Sequence, residues 1–316
     1  METLAQSLGL GARATFDDKC YGNRVPNVER IEFQGAGGLR LVADAVGPRE
    51  AAPVVLLHGG GQTRFAWRRA LEEIAKHGWR AIALDARGHG DSAWSPDGYY
   101  SVDSLCGDLH AVIATLGAKP VLVGASLGGN TAMITEGETP GTARALVMVD
   151  VAPRLEPAGI QRIVDFMTSR PEGFATLDEA ADAVAAYNPS RPRPSNSQGL
   201  AKNLRLGEDG RWRWHWDPCF MQMDASHRVA RVAELRRRMD AAVPFIRIPT
   251  LLIRGAESDV VSLDGVKALR AQIPHLETTE VGGAGHMVAG DRNDPFNAAL
   301  LSFLDRLGDG HPRQAR

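Results

Sequence analysis

VLVGASLGGN, residues 121–130, decides how this chain is read. Val121 to Val123 are apolar β-formers. Small residues follow, with Ser126 between Gly124 and Gly128 in the order Gly-Ala-Ser-Leu-Gly. A serine lifted on a tight strand-to-helix turn needs small residues two before and two after it, because larger side chains would strike the neighbouring strand and helix. Such a turn raises Oγ above a sheet, at the N-terminus of the helix that SLGGNTAMITEGE would form. The positive end of that helix favours an oxyanion beside it. The same residues would also suit a serine that merely caps a helix next to a glycine turn. The choice between nucleophile and cap therefore depends on partners elsewhere in the chain.

Working outward, Ile31–Phe33 and Leu39–Val46 alternate apolar and polar residues around a GAGG turn, which predicts an antiparallel hairpin. The later strands are different. Val54–Leu57, Ala81–Asp85, Val121–Gly124, Ala145–Asp150 and Thr250–Gly255 are short continuous apolar runs, as expected of strands covered on both faces in a parallel sheet. Between them, FAWRRALEEIAKHG and SVDSLCGDLHAVIATLG have helical period. They end in Gly78 and Gly117, and the second opens on a serine cap candidate, Ser101. FNAALLSFLDRLG closes the pattern as a helix. The expectation is an α/β fold: a mostly parallel twisted sheet flanked by helices.

The rhythm breaks between Pro153 and Thr250. AGIQRIVDFM, TLDEAADAVAAY and HRVARVAELRRRMD look helical, and NPSRPRPSNS and RWRWHWDPCF lie among them. A long excursion between two strands of one sheet is usually a functional subdomain. Residues 28–153 and 246–308 are therefore expected to form the core, and 154–245 an inserted helical cap. Residues 1–27 and 309–316 are expected to be a peripheral N-terminal extension and tail.

Partners for Ser126 follow in the chain order serine, acid, histidine. Asp259 lies in the loop after TLLIRG, and His286 in a glycine-rich loop after a short strand. A serine hydroxyl is a weak nucleophile. An imidazole must take its proton, and a carboxylate must fix the imidazole tautomer. Asp259 is the preferred acid. Asp150, which ends the strand before the cap, is the competitor, and Glu257 lies two residues before Asp259. The oxyanion would rest on the amide of Leu127 and on an amide of the loop HGGGQT. Gly60 is the chosen donor there, with its neighbour Gly61 left open. His58 in that loop reads as structural, and Arg87, His89 and Asp91 of DARGHGDS read as holding a turn.

Trp212, Trp214 and Trp216 would share a face only on a strand. At least one is expected to reach the substrate pocket. Phe166, Met167, Met221, Met223 and Met287 are further lining candidates, with core packing as the plainer account. The arginines of 228–238 read as a solvated helix face.

Composition narrows the classes. Lysine plus arginine (36) nearly balances aspartate plus glutamate (38), giving a net charge of −2, so there is no electrostatic case for nucleic acid or an anionic membrane as partner. Cys20, Cys106 and Cys219 are widely spaced and form no metal pattern, and no histidines cluster at metal spacing. The start of the chain has no basic n-region or unbroken apolar h-region, and no run nears the ~20 residues of a membrane span. A cytoplasmic protein acting on a small molecule, without cofactor or metal, is expected. Oligomeric state is not readable.

HGGGQT, DARGHGDS, GASLGG, GAESD and AGHM together resemble the α/β-hydrolase fold superfamily, from about Ile31 to the last helix. The resemblance is to its capped branch of small esterases, cofactor-free haloperoxidases and epoxide hydrolases. The epoxide hydrolases carry an aspartate at the elbow, where this chain has Ser126. The resemblance therefore implies acyl-enzyme chemistry on an ester, thioester or lactone. Its alternatives are C–C bond hydrolysis, perhydrolysis of the haloperoxidase kind, or a small-molecule receptor that does not turn over.

Overall fold

Ile31 and Phe33 alternate with charged neighbours, and this segment forms β1 (Glu29–Gln34), which turns back into β2 (Arg40–Val46) as an antiparallel hairpin. The chain then alternates: β3 (Pro53–Leu57), α1 (Arg68–Lys76), β4 (Arg80–Leu84), α2 (Val102–Ala114), β5 (Val121–Ala125), α3 (Leu127–Glu138), β6 (Ala145–Val149). An insertion follows, with α4 (Pro157–Thr168), α5 (Leu177–Tyr187), β7 (Leu204–Leu206), β8 (Trp212–Trp214) and α6 (Ala225–Ala242). The core resumes with β9 (Thr250–Gly255), α7 (Leu263–Gln272), β10 (Glu277–Val281), α8 (Val288–Asp291) and α9 (Asn293–Leu307). The computed structural model describes residues 27–189, 193, 195–222, 225–291 and 293–308. The N-terminal extension up to Pro26, Met223 and the tail from Asp309 lie outside the described residues.

The main sheet runs β1-β2-β4-β3-β5-β6-β9-β10. β1, β2 and β4 pair antiparallel, and every pair from β4 through β10 is parallel. The apolar runs explain the parallel part, because both of their faces are buried. Val55, Leu122, Leu146, Met148 and Leu252 face a layer that contains α2, α3 and α7. Val54, Leu56, Val121, Val123, Val147 and Ile253 face α1 and α9. Truncating one such side chain to alanine costs about 2–5 kcal/mol in a close-packed core. The helix ends follow local chemistry: the Ser101 side chain accepts the Ser104 amide, and Gly78 and Gly117 take positive φ.

The insertion is mixed rather than wholly helical. RWRWHW alternates in the manner of a strand, and Trp212–Trp214 pairs antiparallel with Leu204–Leu206. The C-terminal part of α6 belongs to the helical layer of the core, not to a cover over it. Met239 is buried with Met133 and Ile134, and Arg238 bridges Glu138 of α3 and Asp103 of α2. No helix among the described residues is long and apolar enough to cross a membrane.

Candidate active site

β5 sits at the centre of the sheet, between β3 and β6. Crevices in such sheets open at the carboxyl ends of the strands, and there β5 turns sharply into α3. Ser126 holds the turn at φ 45°, ψ −112°, a strained conformation for a residue with a Cβ. The flanking glycines are needed for contact rather than for φ. A Cβ at Gly124 would lie 2.5 Å from the Gly128 carbonyl carbon, and one at Gly128 would lie 2.3 Å from the Leu57 carbonyl oxygen. The strand, the turn and the helix therefore touch backbone to backbone, which leaves Ser126 raised and only half-buried.

Asp150 follows β6 and also takes positive φ, at 50°. Its side chain is fully buried. Oδ1 accepts the Gly255 amide at 3.1 Å. Oδ2 accepts the Ser258 hydroxyl at 2.6 Å and stands 2.7 Å from His286 Nδ1. Against this carboxylate Nδ1 is the protonated nitrogen, and Nε2 is left with its lone pair.

The preferred acid, Asp259, is elsewhere. Its carboxylate is partly exposed and pairs with Arg162 of α4 at 2.8 Å. The backbone of Asp259 supports α4 as well, since a Cβ at Gly159 would lie 2.3 Å from the Asp259 carbonyl oxygen. His286 is thus joined to Asp150 and not to Asp259. The loop after β9 turns its serine toward Asp150 and its aspartate toward the insertion. Glu257 is exposed.

The HGGG loop after β3 comes beside the elbow, where the Gly128 amide donates to the His58 carbonyl at 3.1 Å. The three glycine amides have different fates. Gly59 donates to Gln62 Oε1 at 3.0 Å and Gly61 donates to His89 Nε2 at 3.1 Å. Among the described residues no acceptor takes the amide of Gly60 or that of Leu127. Gly60 rather than Gly61 therefore has the amide to offer.

His58 and His89 are both fully buried and neutral. Desolvation pushes His58 down to about 4 and His89 down to about 3, with the neighbouring His58 adding to the second shift. Each ring accepts an amide at Nε2, from Ala86 and Gly61 respectively, and donates Nδ1–H to a carbonyl. They stitch HGGGQT to DARGHGDS. The rest of that turn is equally occupied. Arg87 makes a bidentate pair with Asp108, Asp85 receives the backbone and side chain of Arg64, and Asp91 also pairs with Arg64.

The insertion covers the HGGG loop with apolar atoms. A Cβ at Gly61 would lie 3.1 Å from Met167 Cε, and one at Gly60 would lie 3.8 Å from Phe220. Trp216 and Phe220 are buried with Tyr100, and Leu127, Met167, Trp214 and Met221 pack against them. Asp217 fastens this cluster, accepting the Tyr100 hydroxyl and donating its amide to the Gly88 carbonyl.

Trp212 does not reach this cluster. At the start of β8, two residues before Trp214, it packs with Phe174, Leu177 and Leu204 in a core belonging to the insertion. Phe166 stacks on Tyr187 with 4.3 Å between ring centroids. Its neighbour Met167 is the residue that meets the loop. Met287 is half-buried. Phe220 escaped the sequence reading because it stands in an irregular turn, where no periodicity gives its direction. The Asp217–Pro218 start of that turn, with Asp217 capping the Cys219 amide, is a signal for the turn alone.

Known proteins resemble this chain. Residues 52–292 match the family model described as the alpha/beta hydrolase fold. The chain is 31% identical to the esterase Rv0045c of Mycobacterium tuberculosis over 294 residues, covering 89% of this chain and 90% of that protein. It is 29% identical to the sn-1-specific diacylglycerol lipase ABHD11 of Mus musculus over 265 residues, covering 79% of this chain and 80% of that protein. The crystal structure of E-2-(acetamidomethylene)succinate hydrolase superposes with a TM-score of 0.77 at 21% identity, covering 88% of this chain and 99% of that one, a likeness of fold. With a family match over most of its length, on a sheet of this order, the chain belongs to the α/β-hydrolase fold family.

Proposed function

We propose that this protein is a serine hydrolase that cleaves a carboxylic ester, working through an acyl-enzyme with Ser126 as nucleophile, His286 as base and Asp150 as the triad acid. The observation that carries the reading is the hydrogen bond from His286 Nδ1 to buried Asp150, in a fold that raises Ser126 on a strained turn. An imidazole held in that tautomer has Nε2 free to take the serine proton.

The steps follow. His286 Nε2 accepts the Ser126 proton as Oγ adds to the ester carbonyl. The developing oxyanion rests on the amides of Leu127 and Gly60, and the end of α3 adds its positive field. His286 then gives the proton to the departing alcohol. Water, deprotonated by the same nitrogen, attacks the acyl-enzyme and releases the acid. Asp150 stays ionised throughout and stabilises the imidazolium. The side chains over Gly60 and Gly61 are Phe220 and Met167, which favours an uncharged, apolar acyl group, since a charge there would be desolvated without a partner. The names of the esterase and lipase relatives support the ester class.

The test is fluorophosphonate labelling read by intact mass, followed by hydrolysis of a p-nitrophenyl ester series. One adduct on the wild type and none on Ser126→Ala is expected, with kcat/KM of the variant reduced about 10⁵–10⁶-fold. A Ser126→Ala protein that keeps most of its ester turnover would overturn the reading.

A further inference from the structure

His89 belongs to a segment that has no contact with the elbow in sequence and no place in the chemistry above. It is nonetheless the acceptor for one amide of the HGGG loop. The ring is fully buried. Its Nε2 lies 3.1 Å from the Gly61 amide, and its Nδ1 lies 3.1 Å from the Arg87 carbonyl. An amide N–H can donate only to an unprotonated ring nitrogen, so Nδ1 must carry the proton. The ring is packed edge-on against Phe220 at 5.0 Å and tilted against His58 at 5.2 Å. Its own backbone is clamped from both sides. Arg87 is fixed by Asp108, and the chain on either side of His89 bonds to the insertion through Gly90 to His215 and Asp217 to Gly88.

We infer that His89 is a positioning residue that selects the oxyanion donor, by drawing the Gly61 amide away from the substrate so that the Gly60 amide faces the reacting carbonyl. In this loop the amides on either side of Gly60 are committed to separate acceptors. Here Gln62 takes the first and His89 takes the third, and Gly61 sits at φ 75°, a conformation that glycine adopts readily. Without an acceptor at position 89 a half-buried amide would lose its partner, and the loop would rotate to satisfy it. The donor would then be misaimed rather than removed. A misaimed donor leaves substrate binding intact and weakens only the interaction with the developing charge.

This inference rests on the serine-hydrolase reading, and its experiment separates the two. His89→Leu keeps an apolar volume without an acceptor, whereas His89→Gln can offer an amide oxygen near the place of Nε2. With a short-chain p-nitrophenyl ester, His89→Leu is expected to lose about 10–100-fold in kcat with KM within about threefold, because loss of a whole oxyanion donor costs ~10²–10³. His89→Gln is expected to recover to within a few-fold of the wild type. Equal losses in the two variants, or an unchanged kcat in His89→Leu, would overturn the inference. A wild type that takes no fluorophosphonate would instead overturn the functional reading. A second measurement does not depend on the activity of either variant and needs only that His89→Gln folds. In ¹⁵N-histidine NMR of the wild type at neutral pH, the resonances absent from folded His89→Gln belong to His89. They should show a protonated Nδ1 and a bare Nε2, and a protonated Nε2 would overturn the inference whatever the activity.

Discussion

Asp150 ends β6 and Asp259 follows β9, its neighbour in the sheet. Asp150 is sealed from solvent and accepts a backbone amide, a hydroxyl and an imidazole N–H. Asp259 is partly exposed and faces one arginine of the insertion, the kind of surface pair worth about 0–1 kcal/mol. The same side-chain chemistry thus serves two purposes on adjacent loops. A buried charge persists only where donors replace water, and the end of β9 and the loop after it supply those donors to the neighbouring strand's carboxylate through Gly255 and Ser258. Position in the chain brings an acid near the histidine; burial and donors decide which acid the histidine meets.

The contrast can be broken at several points. The largest effect belongs to Asp150→Asn, which keeps a residue tolerant of positive φ but removes the charge that fixes the His286 tautomer. A loss of about 10⁴ in kcat is expected by stopped-flow or steady-state ester hydrolysis. Next comes acid. His58 and His89 have folded-state values of about 4 and about 3 against 6.5 in the unfolded chain. Between those values the unfolded state binds the extra protons. The contribution of these two rings to stability is therefore full above pH 6.5 and falls as the pH drops below it. The loss is at most ~1.4 kcal/mol per pH unit for each histidine and levels off near the folded values. Thermal melting between pH 7 and pH 4 should show this decline, and His89→Gln should make it shallower.

A smaller effect is expected at Ser258. Ser258→Ala removes one donor to Asp150 and should lower kcat about tenfold with little change in KM, as expected for a hydrogen bond to a charged group. Ser258→Thr, which keeps the hydroxyl, should restore most of it. Asp259→Asn is the smallest, with kcat/KM within about threefold of the wild type and a stability change under about 1 kcal/mol. An Asp259→Asn protein as impaired as Asp150→Asn would erase the contrast.

The parallel sheet and the elbow were legible because their demands are local. Val121–Val123 must be apolar on both faces, and Gly124 and Gly128 must be small where backbones touch. That His286 would meet a carboxylate was expected from its loop, and it meets Asp150. The choice between Asp150 and Asp259 was not, because both follow buried parallel strands. The deciding features are a positive φ on a non-glycine residue and the way the loop after β9 curls. Neither is written in residue type. The insertion was harder still. RWRWHW has strand alternation, but which tryptophan joins the cluster with Tyr100 and Phe220 depends on where the hairpin starts, and Trp214 and Trp216 join it while Trp212 does not. The roles of His58 and His89 as amide acceptors come from a loop-to-loop pairing that neither segment reveals alone.

The most direct test of the account is the proton between His286 Nδ1 and its carboxylate, observed by ¹H and ¹⁵N-histidine NMR in the wild type, Asp150→Asn and Asp259→Asn. A far-downfield Nδ1 proton is expected in the wild type, unchanged in Asp259→Asn and lost in Asp150→Asn as the tautomer switches. A signal that survives in Asp150→Asn and vanishes in Asp259→Asn would return the acid to Asp259 and contradict the account.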